Sequence, residues 1–200
     1  MSATKISVDE VNNLKPDQFE KVFGNVIELY ADAAKTVGNK RPFQTALEFC
    51  KAFQGYLDDL NKLVVLKLHP DLAGRLAAQG ELTPESTCEQ KAAGLHELTA
   101  ADKKTIDESN RRYKDKFGFP FIICARENKV QSIIAGLRIR YDNSPEEEIN
   151  IGINEVKKIC KLRILDIVKD YVFETDVQVS ASDNITLEVG ARQEGKVAYL

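Results

Sequence analysis

The stretch that decides the fold class reads Lys67-Leu68-His69-Pro70-Asp71-Leu72-Ala73-Gly74. Within it, Pro70 is followed directly by the acidic residue Asp71, a pattern that is typical of the start of a helix. Proline suits the first helical turn because its missing N–H would find no partner there, and a negative charge in that turn interacts favourably with the helix dipole. The pattern predicts a helix from Pro70 to about Gly80, with His69 at or beside its N-cap.

The same start signal recurs later in the chain, each time behind a capping hydroxyl. Thr83-Pro84-Glu85 predicts a helix to about Leu95, and Ser144-Pro145-Glu146 predicts the last and longest helix, to about Val172. Caps and apolar residues at helical spacing predict further helices over residues 8–13, 16–23, 25–36, 44–60, 99–116 and 129–141.

The fold class is therefore all-α, with about eight helices and one short extended segment at residues 119–125. The helices are short and irregular, which argues against a simple four-helix bundle. We expect a single irregular multi-helix domain over residues 1–172. A C-terminal tail over residues 173–200 alternates weakly between apolar and polar positions, as a mobile tail or a hairpin would.

Composition excludes several classes of function. The chain of 200 residues is 43% hydrophobic and 30% charged, enough to bury a core, and its net charge is −3. This charge gives no reason to expect binding to nucleic acid or to an anionic membrane, and no apolar run approaches the roughly 20 residues that span a bilayer. The N-terminus lacks the apolar segment of a secretion signal. The four cysteines are scattered and predict buried, reduced thiols, and with only two histidines we expect no metal site.

Histidine at a helix start can serve proton transfer, because the positive end of a helix disfavours the imidazolium form. The alternative is that His69 only caps a helix. A second candidate is the face formed by Ser86, Glu89 and Gln90, whose spacing of three and four residues places them together on one helix. Small residues beyond this cluster suit the wall of a cavity, although a solvated face is the commoner interpretation.

Arg163 interrupts an apolar stripe of the last helix, and a buried guanidinium needs an anion or several acceptors. Asp166 and Asp170 could supply an internal ion pair, so a structural role and a ligand contact stay open. The extended segment leaves backbone N–H and C=O groups without helical partners. Those groups could contact a planar polar ligand, and packing of the segment into the core is the alternative.

These stretches, together with Arg41-Pro42-Phe43 and Lys116-Phe117-Gly118-Phe119-Pro120, resemble the 2-oxo-4-hydroxy-4-carboxy-5-ureidoimidazoline decarboxylases over roughly residues 5–172. The resemblance implies an all-α, cofactor-free homodimer. It also implies the last step of urate degradation, in which a small ureidoimidazoline loses CO₂ to give (S)-allantoin.

The resemblance also assigns roles to individual residues. It implies that His69 is the catalytic histidine and Glu89 the catalytic acid. Our own hypothesis is that Glu89 lies near the departing carboxylate and holds His69 in one tautomer. Arg163 and Gln90 would hold carbonyl or ureido groups of the substrate. The implied substrate-binding residues are Pro70, Ser86, Gln90, Arg163 and the backbone of Phe121, Ile122, Ile123, Cys124 and Ala125.

Two other classes of function remain open from the residues alone. One is a ureide hydrolase in which His69 activates water or Ser86. The other is a non-catalytic helical interaction module. For the compartment, we expect a cytoplasmic or peroxisomal location. The chain ends Ala198-Tyr199-Leu200, which lacks the basic middle residue of the peroxisomal Ser-Lys-Leu signal and makes it a poor one.

Overall fold

The computed structural model describes residues 4–169, so the predicted tail over residues 173–200 lies outside the described part. Within residues 4–169 the chain forms α-helices, one 3₁₀ turn and a single isolated β-bridge, which confirms the all-α class. The helices are α1 (Val8–Asn13), α2 (Pro16–Phe23), α3 (Asp32–Gly38), α4 (Ala46–Asp59), α5 (Lys62–Leu66), α6 (Arg75–Gln79), α7 (Pro84–Ala92), α8 (Ala100–Phe117), α9 (Val130–Arg140) and α10 (Pro145–Ile167). The 3₁₀ turn is Ala125–Glu127.

Most of the predicted helix starts are confirmed. The hydroxyl groups of Ser7, Thr83, Thr99 and Ser144 each accept a hydrogen bond from the backbone N–H three residues on, as N-caps do. α8 ends at Gly118, whose φ of 76° lies in the left-handed region that favours glycine.

The predicted helix at Pro70 is wrong at its start. Residues 70–73 form a turn, and α6 begins only at Arg75 behind Gly74. Tertiary hydrogen bonds account for the difference: the N–H of Ala73 donates to Gln90 Oε1 at 2.8 Å, and the C=O of Leu72 accepts from Asn110 Nδ2 at 2.9 Å. These bonds hold Ala73 at a φ of 50°, which no helix contains. His69 is therefore not at a helix N-cap.

Two other helix boundaries differ from the prediction. Residues 25–31 form turns, because Asn25 Oδ1 accepts from the N–H of Leu29, which itself has a φ of 52°. α10 ends at Ile167 rather than Val172, because Val168 forms a parallel bridge with Ile6 near the start of the chain.

Aromatic side chains fill the core in two groups. Between α2 and α4, aromatic rings pack in tilted or edge-to-face contacts, those of Phe19, Phe23, Phe49 and Phe53. Tyr113 of α8 meets the rings of Phe119 and Phe121 edge to face, and both rings are buried. The extended segment thus anchors its side chains in the core.

α10 is the central helix, and it packs against α4 and α5. Leu66 of α5 lies against Gly152, where an added Cβ would come within 3.0 Å of it. This close approach brings the end of α5, and His69 just beyond it, toward α10.

The expectation for the cysteines is corrected at one position. Cys50, Cys124 and Cys160 are buried, whereas Cys88 is exposed because α7 turns Ser86, Glu89 and Gln90 inward instead. In residues 4–169 no three or more His, Cys, Asp or Glu side chains are grouped as a metal site requires. No helix in the same range is long and apolar enough to cross a membrane.

Candidate active site

One cavity brings together predicted site residues from four separate parts of the chain. The closed space between its walls is about 30 Å³, roughly the volume of one water molecule, so the walls lie close together around it. Every predicted site residue except Cys124 lines it, and Leu72 and Ile159 complete the apolar part of the wall. The lining residues taken from the prediction are His69, Pro70, Ser86, Glu89, Gln90, Phe121, Ile122, Ile123, Ala125 and Arg163.

His69 is buried, with 8% of its surface exposed, and its ring is held in one tautomer. Nδ1 lies 3.0 Å from the backbone carbonyl of Val65, one turn earlier. A carbonyl oxygen can only accept, so Nδ1 carries the proton and Nε2 is unprotonated. Nε2 is buried and has no hydrogen-bond partner in the described part of the chain. His69 thus offers the cavity an unused proton acceptor.

The neutral state of His69 has a different cause from the one that the sequence suggested. Burial lowers the pKa of His69 to about 4, against weaker opposing effects of the Val65 carbonyl and the negative charge of Glu28. No helix N-terminus contributes, since the ring follows the C-terminal end of α5. At neutral pH the imidazole is uncharged because the surrounding protein excludes water.

Arg163 and Glu89 form a buried, two-pronged ion pair. Nε and Nη2 of Arg163 donate to the two oxygens of Glu89, both at 2.7 Å, and Arg163 is only 3% exposed. Burial would lower the pKa of Arg163, and the hydrogen bonds and charges of Glu89 and Glu28 outweigh that effect and raise it. The partner expected on its own helix, Asp166, instead pairs with Arg126. Asp170, the other expected partner, lies outside the described residues.

Glu89 does not orient His69, contrary to our hypothesis from the sequence. Both carboxylate oxygens of Glu89 accept from Arg163, and the carbonyl of Val65 holds the imidazole. Glu89 therefore shares the cavity wall with His69 without orienting its ring.

Gln90 and Ser86 keep part of their hydrogen-bonding capacity for a ligand. Gln90 Oε1 accepts from Ala73, and Nε2 donates to the carbonyl of Asp71 at 3.4 Å, which leaves one N–H of the amide unused. The Ser86 hydroxyl donates at 3.0 Å to Glu28 and accepts at 3.3 Å from Arg163. One lone pair of Ser86 Oγ is left.

The extended segment contributes mainly backbone to the cavity. Within residues 4–169 the N–H groups of Ile122, Ile123 and Ala125 have no hydrogen-bond acceptor. Cys124 differs from them: its N–H donates at 2.8 Å to Glu155, and burial raises the pKa of its thiol to about 11. The Cys124 side chain and N–H are therefore committed to the protein interior.

Comparison with known proteins identifies the family. The family model described as OHCU decarboxylase matches residues 12–165. The chain belongs to the OHCU decarboxylase family. Two relatives named 2-oxo-4-hydroxy-4-carboxy-5-ureidoimidazoline decarboxylase illustrate the similarity. The protein from Amia calva is 40% identical over 163 residues, 80% of this chain and 93% of its own, and that from Xenopus laevis is 39% identical over 165 residues, 81% and 94% of the two chains.

Solved structures agree with this membership. A crystal structure of OHCU decarboxylase in the presence of (S)-allantoin is 26% identical, with a TM-score of 0.57 over 76% of this chain and 96% of that chain. A crystal structure of (S)-allantoin synthase, 22% identical with a TM-score of 0.66 over 82% of this chain, shows a common fold. The present chain spans about half, 54%, of that synthase chain.

An OHCU decarboxylase is a carboxy-lyase, an enzyme that breaks a carbon–carbon bond and releases CO₂. Membership of the family therefore favours a lyase over the ureide hydrolase and the non-catalytic module that the residues alone left open.

One buried residue beside this candidate site, Glu28, was not predicted from the sequence. Its carboxylate is only 2% exposed and accepts from Thr83, Ser86 and Arg163. Residues 25–36 were expected to form a regular amphipathic helix, in which an acidic residue would be solvated. The sequence feature that could have indicated its burial is its position directly after the apolar pair Val26-Ile27, both of which are buried.

Proposed function

We propose that this chain decarboxylates 2-oxo-4-hydroxy-4-carboxy-5-ureidoimidazoline to (S)-allantoin without a cofactor. The observation that supports this proposal is the unprotonated, unpartnered Nε2 of His69, set in the same cavity as the Glu89–Arg163 pair. A buried base with no internal partner is suited to take a proton from a ligand.

The electrons of the broken bond can be held by the substrate itself. As the bond from C4 to the carboxylate breaks, its electron pair forms a C4=C5 double bond, and the ring C=N nitrogen receives the negative charge. CO₂ leaves, and a proton from solvent neutralises that nitrogen. The conjugated ring thus performs the task that an added electron sink performs in other decarboxylases.

His69 then completes the conversion by moving one proton. Nε2 accepts the proton of the C4 hydroxyl, which becomes the ring carbonyl, and the imidazolium returns a proton to C5. Because His69 occupies one wall of the cavity, it delivers that proton to one face of C5. Delivery to a single face gives a single enantiomer of allantoin.

The charged pair and the polar groups around it position the substrate. Gln90 and the free N–H groups of Ile122, Ile123 and Ala125 bind carbonyl and ureido groups, and Pro70 packs against the ring. Arg163 has acceptors in the protein for all its N–H groups, so it contacts the substrate by sharing the Nη2 hydrogen whose 3.3 Å bond to Ser86 is the longest of these. The negative charge of Glu89 disfavours the bound carboxylate more than the transition state, in which charge has spread into the ring.

Two further features rest on the family resemblance. We propose that the enzyme is a homodimer, which sedimentation at several concentrations would test. We propose a cytoplasmic or peroxisomal location, which fluorescence microscopy of the full chain with its natural C-terminus would decide.

The activity is tested with substrate freshly generated by urate oxidation. We expect CO₂ release in step with the appearance of optically active allantoin, faster than in an enzyme-free control. Release of ammonia would indicate the ureide hydrolase instead. Racemic allantoin formed at the uncatalysed rate would indicate a non-catalytic module and overturn the proposed function.

A further inference from the structure

Glu28 does not line the cavity, but its carboxylate joins three groups around it, of which Ser86 and Arg163 line the cavity. One carboxylate oxygen accepts from the hydroxyl of Thr83 at 2.9 Å. The other accepts from the hydroxyl of Ser86 at 3.0 Å and lies 2.7 Å from Nη1 of Arg163. All three partners belong to elements distant in sequence from the loop that carries Glu28, so the carboxylate ties α7 and α10 to that loop.

The loop itself is built to hold this position. The carbonyl of Asn25 accepts from Nη1 of Arg163 at 2.8 Å, and the Asn25 amide donates to Glu85 at 2.7 Å. The side-chain oxygen of Asn25 accepts a hydrogen bond from the N–H of Leu29, whose φ of 52° lies in the left-handed region. Glu28 is therefore aimed inward by a constrained turn.

The contact to Ser86 determines which way the hydroxyl proton points. A carboxylate oxygen can only accept, so Ser86 must donate its single proton to Glu28. Nη2 of Arg163 occupies one of the two lone pairs of Ser86 Oγ. Ser86 lines the cavity, and its second lone pair is unused. Ser86 can therefore accept a hydrogen bond from a ligand but cannot donate one.

We propose that Glu28 is a positioning residue that makes Ser86 an obligate hydrogen-bond acceptor, and that the site thereby selects substrates presenting an N–H group to Ser86. The inference rests on the proposed function, whose ureidoimidazoline substrate carries several N–H groups. Glu28 does not touch the substrate, and it acts through the direction of one hydroxyl proton.

Two substitutions of Glu28 distinguish the positioning of the Ser86 hydroxyl from an effect of the negative charge of Glu28. Glu28→Gln loses the charge, but its amide oxygen can still accept from Ser86 and Arg163 while its NH₂ group faces Thr83. Glu28→Asp keeps the charge, but it is one methylene shorter and withdraws from Ser86. We expect Glu28→Asp to raise KM about tenfold, because one hydrogen bond is lost. The Kd of (S)-allantoin, measured by calorimetry, should rise by the same factor.

The other kinetic constants distinguish positioning from general damage. We expect kcat of Glu28→Asp to stay within about threefold of wild type, because a contact present in both ground and transition states changes KM alone. Glu28→Gln should keep KM and Kd within about threefold of wild type. Ser86→Ala should raise KM about tenfold, and the double variant with Glu28→Asp should be no worse than either single change.

Thr83→Ala is the matched structural control. It removes a helix cap and the other hydrogen bond of Glu28, while the contacts of Glu28 to Ser86 and Arg163 stay in place. We expect a lower Tm with an unchanged KM.

Three results would overturn the inference: a wild-type KM in Glu28→Asp, equal losses in Glu28→Asp and Glu28→Gln, or additive effects in the double variant. Wild-type protein that neither turns over substrate nor binds (S)-allantoin would overturn the proposed function as well. The two failures are therefore distinguishable.

Discussion

Arg163 and Glu89 lie 74 residues apart in the sequence and are joined by two hydrogen bonds of 2.7 Å in the wall of one cavity. The guanidinium fork matches the two oxygens of the carboxylate, which fixes both side chains. Glu28 lies against the same guanidinium, so two carboxylates share one buried cation. With His69 neutral, Arg163, Glu89 and Glu28 together carry a net charge of −1.

Replacing Arg163 with lysine should damage both binding and stability. Lysine cannot reproduce the planar fork, so Glu89 and Glu28 would be left partly unpaired in the protein interior. We expect a KM raised at least about tenfold and an unfolding free energy lowered by about 3 kcal/mol, measured by steady-state kinetics and urea unfolding.

The control for this change is Arg126→Lys. Arg126 makes the same two-pronged contact with Asp166, but that carboxylate is more than half exposed. Exposed pairs contribute at most about 1 kcal/mol, so this variant should behave like wild type. A wild-type KM in Arg163→Lys, with the loss of stability still present, would leave Arg163 with a structural role only.

Replacing His69 with glutamine should abolish proton transfer. The amide has no basic nitrogen, and we expect kcat to fall by about 10²-fold or more with the fold retained. The rate of allantoin formation and the circular dichroism spectrum measure the two quantities. His96→Gln, which changes the other histidine, an exposed one, should leave kcat unchanged. Near-normal turnover in the His69 variant would rule out acid–base catalysis by this residue.

Replacing Glu89 with glutamine tests the charge of the carboxylate separately from its shape. The amide can still accept from Arg163 through its oxygen, whereas the negative charge near the substrate carboxylate is lost. We expect kcat to fall by about 10²-fold while KM changes little. A raised KM with an unchanged kcat would instead show that Glu89 serves only to hold Arg163.

Acid should destabilise the protein through His69. Burial lowers the pKa of this ring to about 4 in the folded state, against an ordinary value of 6.5. Between these two pH values the unfolded chain binds a proton that the folded chain does not, so stability falls as the pH falls through this window. At pH 5 the loss from this one group is about 2 kcal/mol relative to pH 7.5.

The contribution of His69 is isolated by comparing wild type with His69→Gln in urea at both pH values. Groups that titrate in both proteins cancel in the difference. The wild-type protein should lose about 2 kcal/mol more than the variant between pH 7.5 and pH 5. Parallel losses in the two proteins would show that His69 titrates normally.

The helices and several of their ends were predictable because local rules decide them. A capping hydroxyl at Thr83, Thr99 or Ser144 satisfies N–H groups within three residues, so no distant contact is needed. The turns at residues 70–73 and 25–31 were mispredicted because their conformation depends on distant partners. Gln90 holds Ala73, and Glu85 and Arg163 hold Asn25. Local propensity is weaker than several tertiary hydrogen bonds.

The sequence by itself determined the fold class, the family and the identity of most side chains around the cavity, because these depend on residue types and their spacing along the chain. Only the tertiary structure decided which partner each polar group has. It assigned the orientation of His69 to Val65 rather than Glu89, replaced the expected aspartate partner of Arg163 with Glu89 and Glu28, and turned Cys124 away from the cavity. Such pairings depend on distances of about 3 Å between atoms that can lie more than a hundred residues apart, and packing of the helices sets those distances.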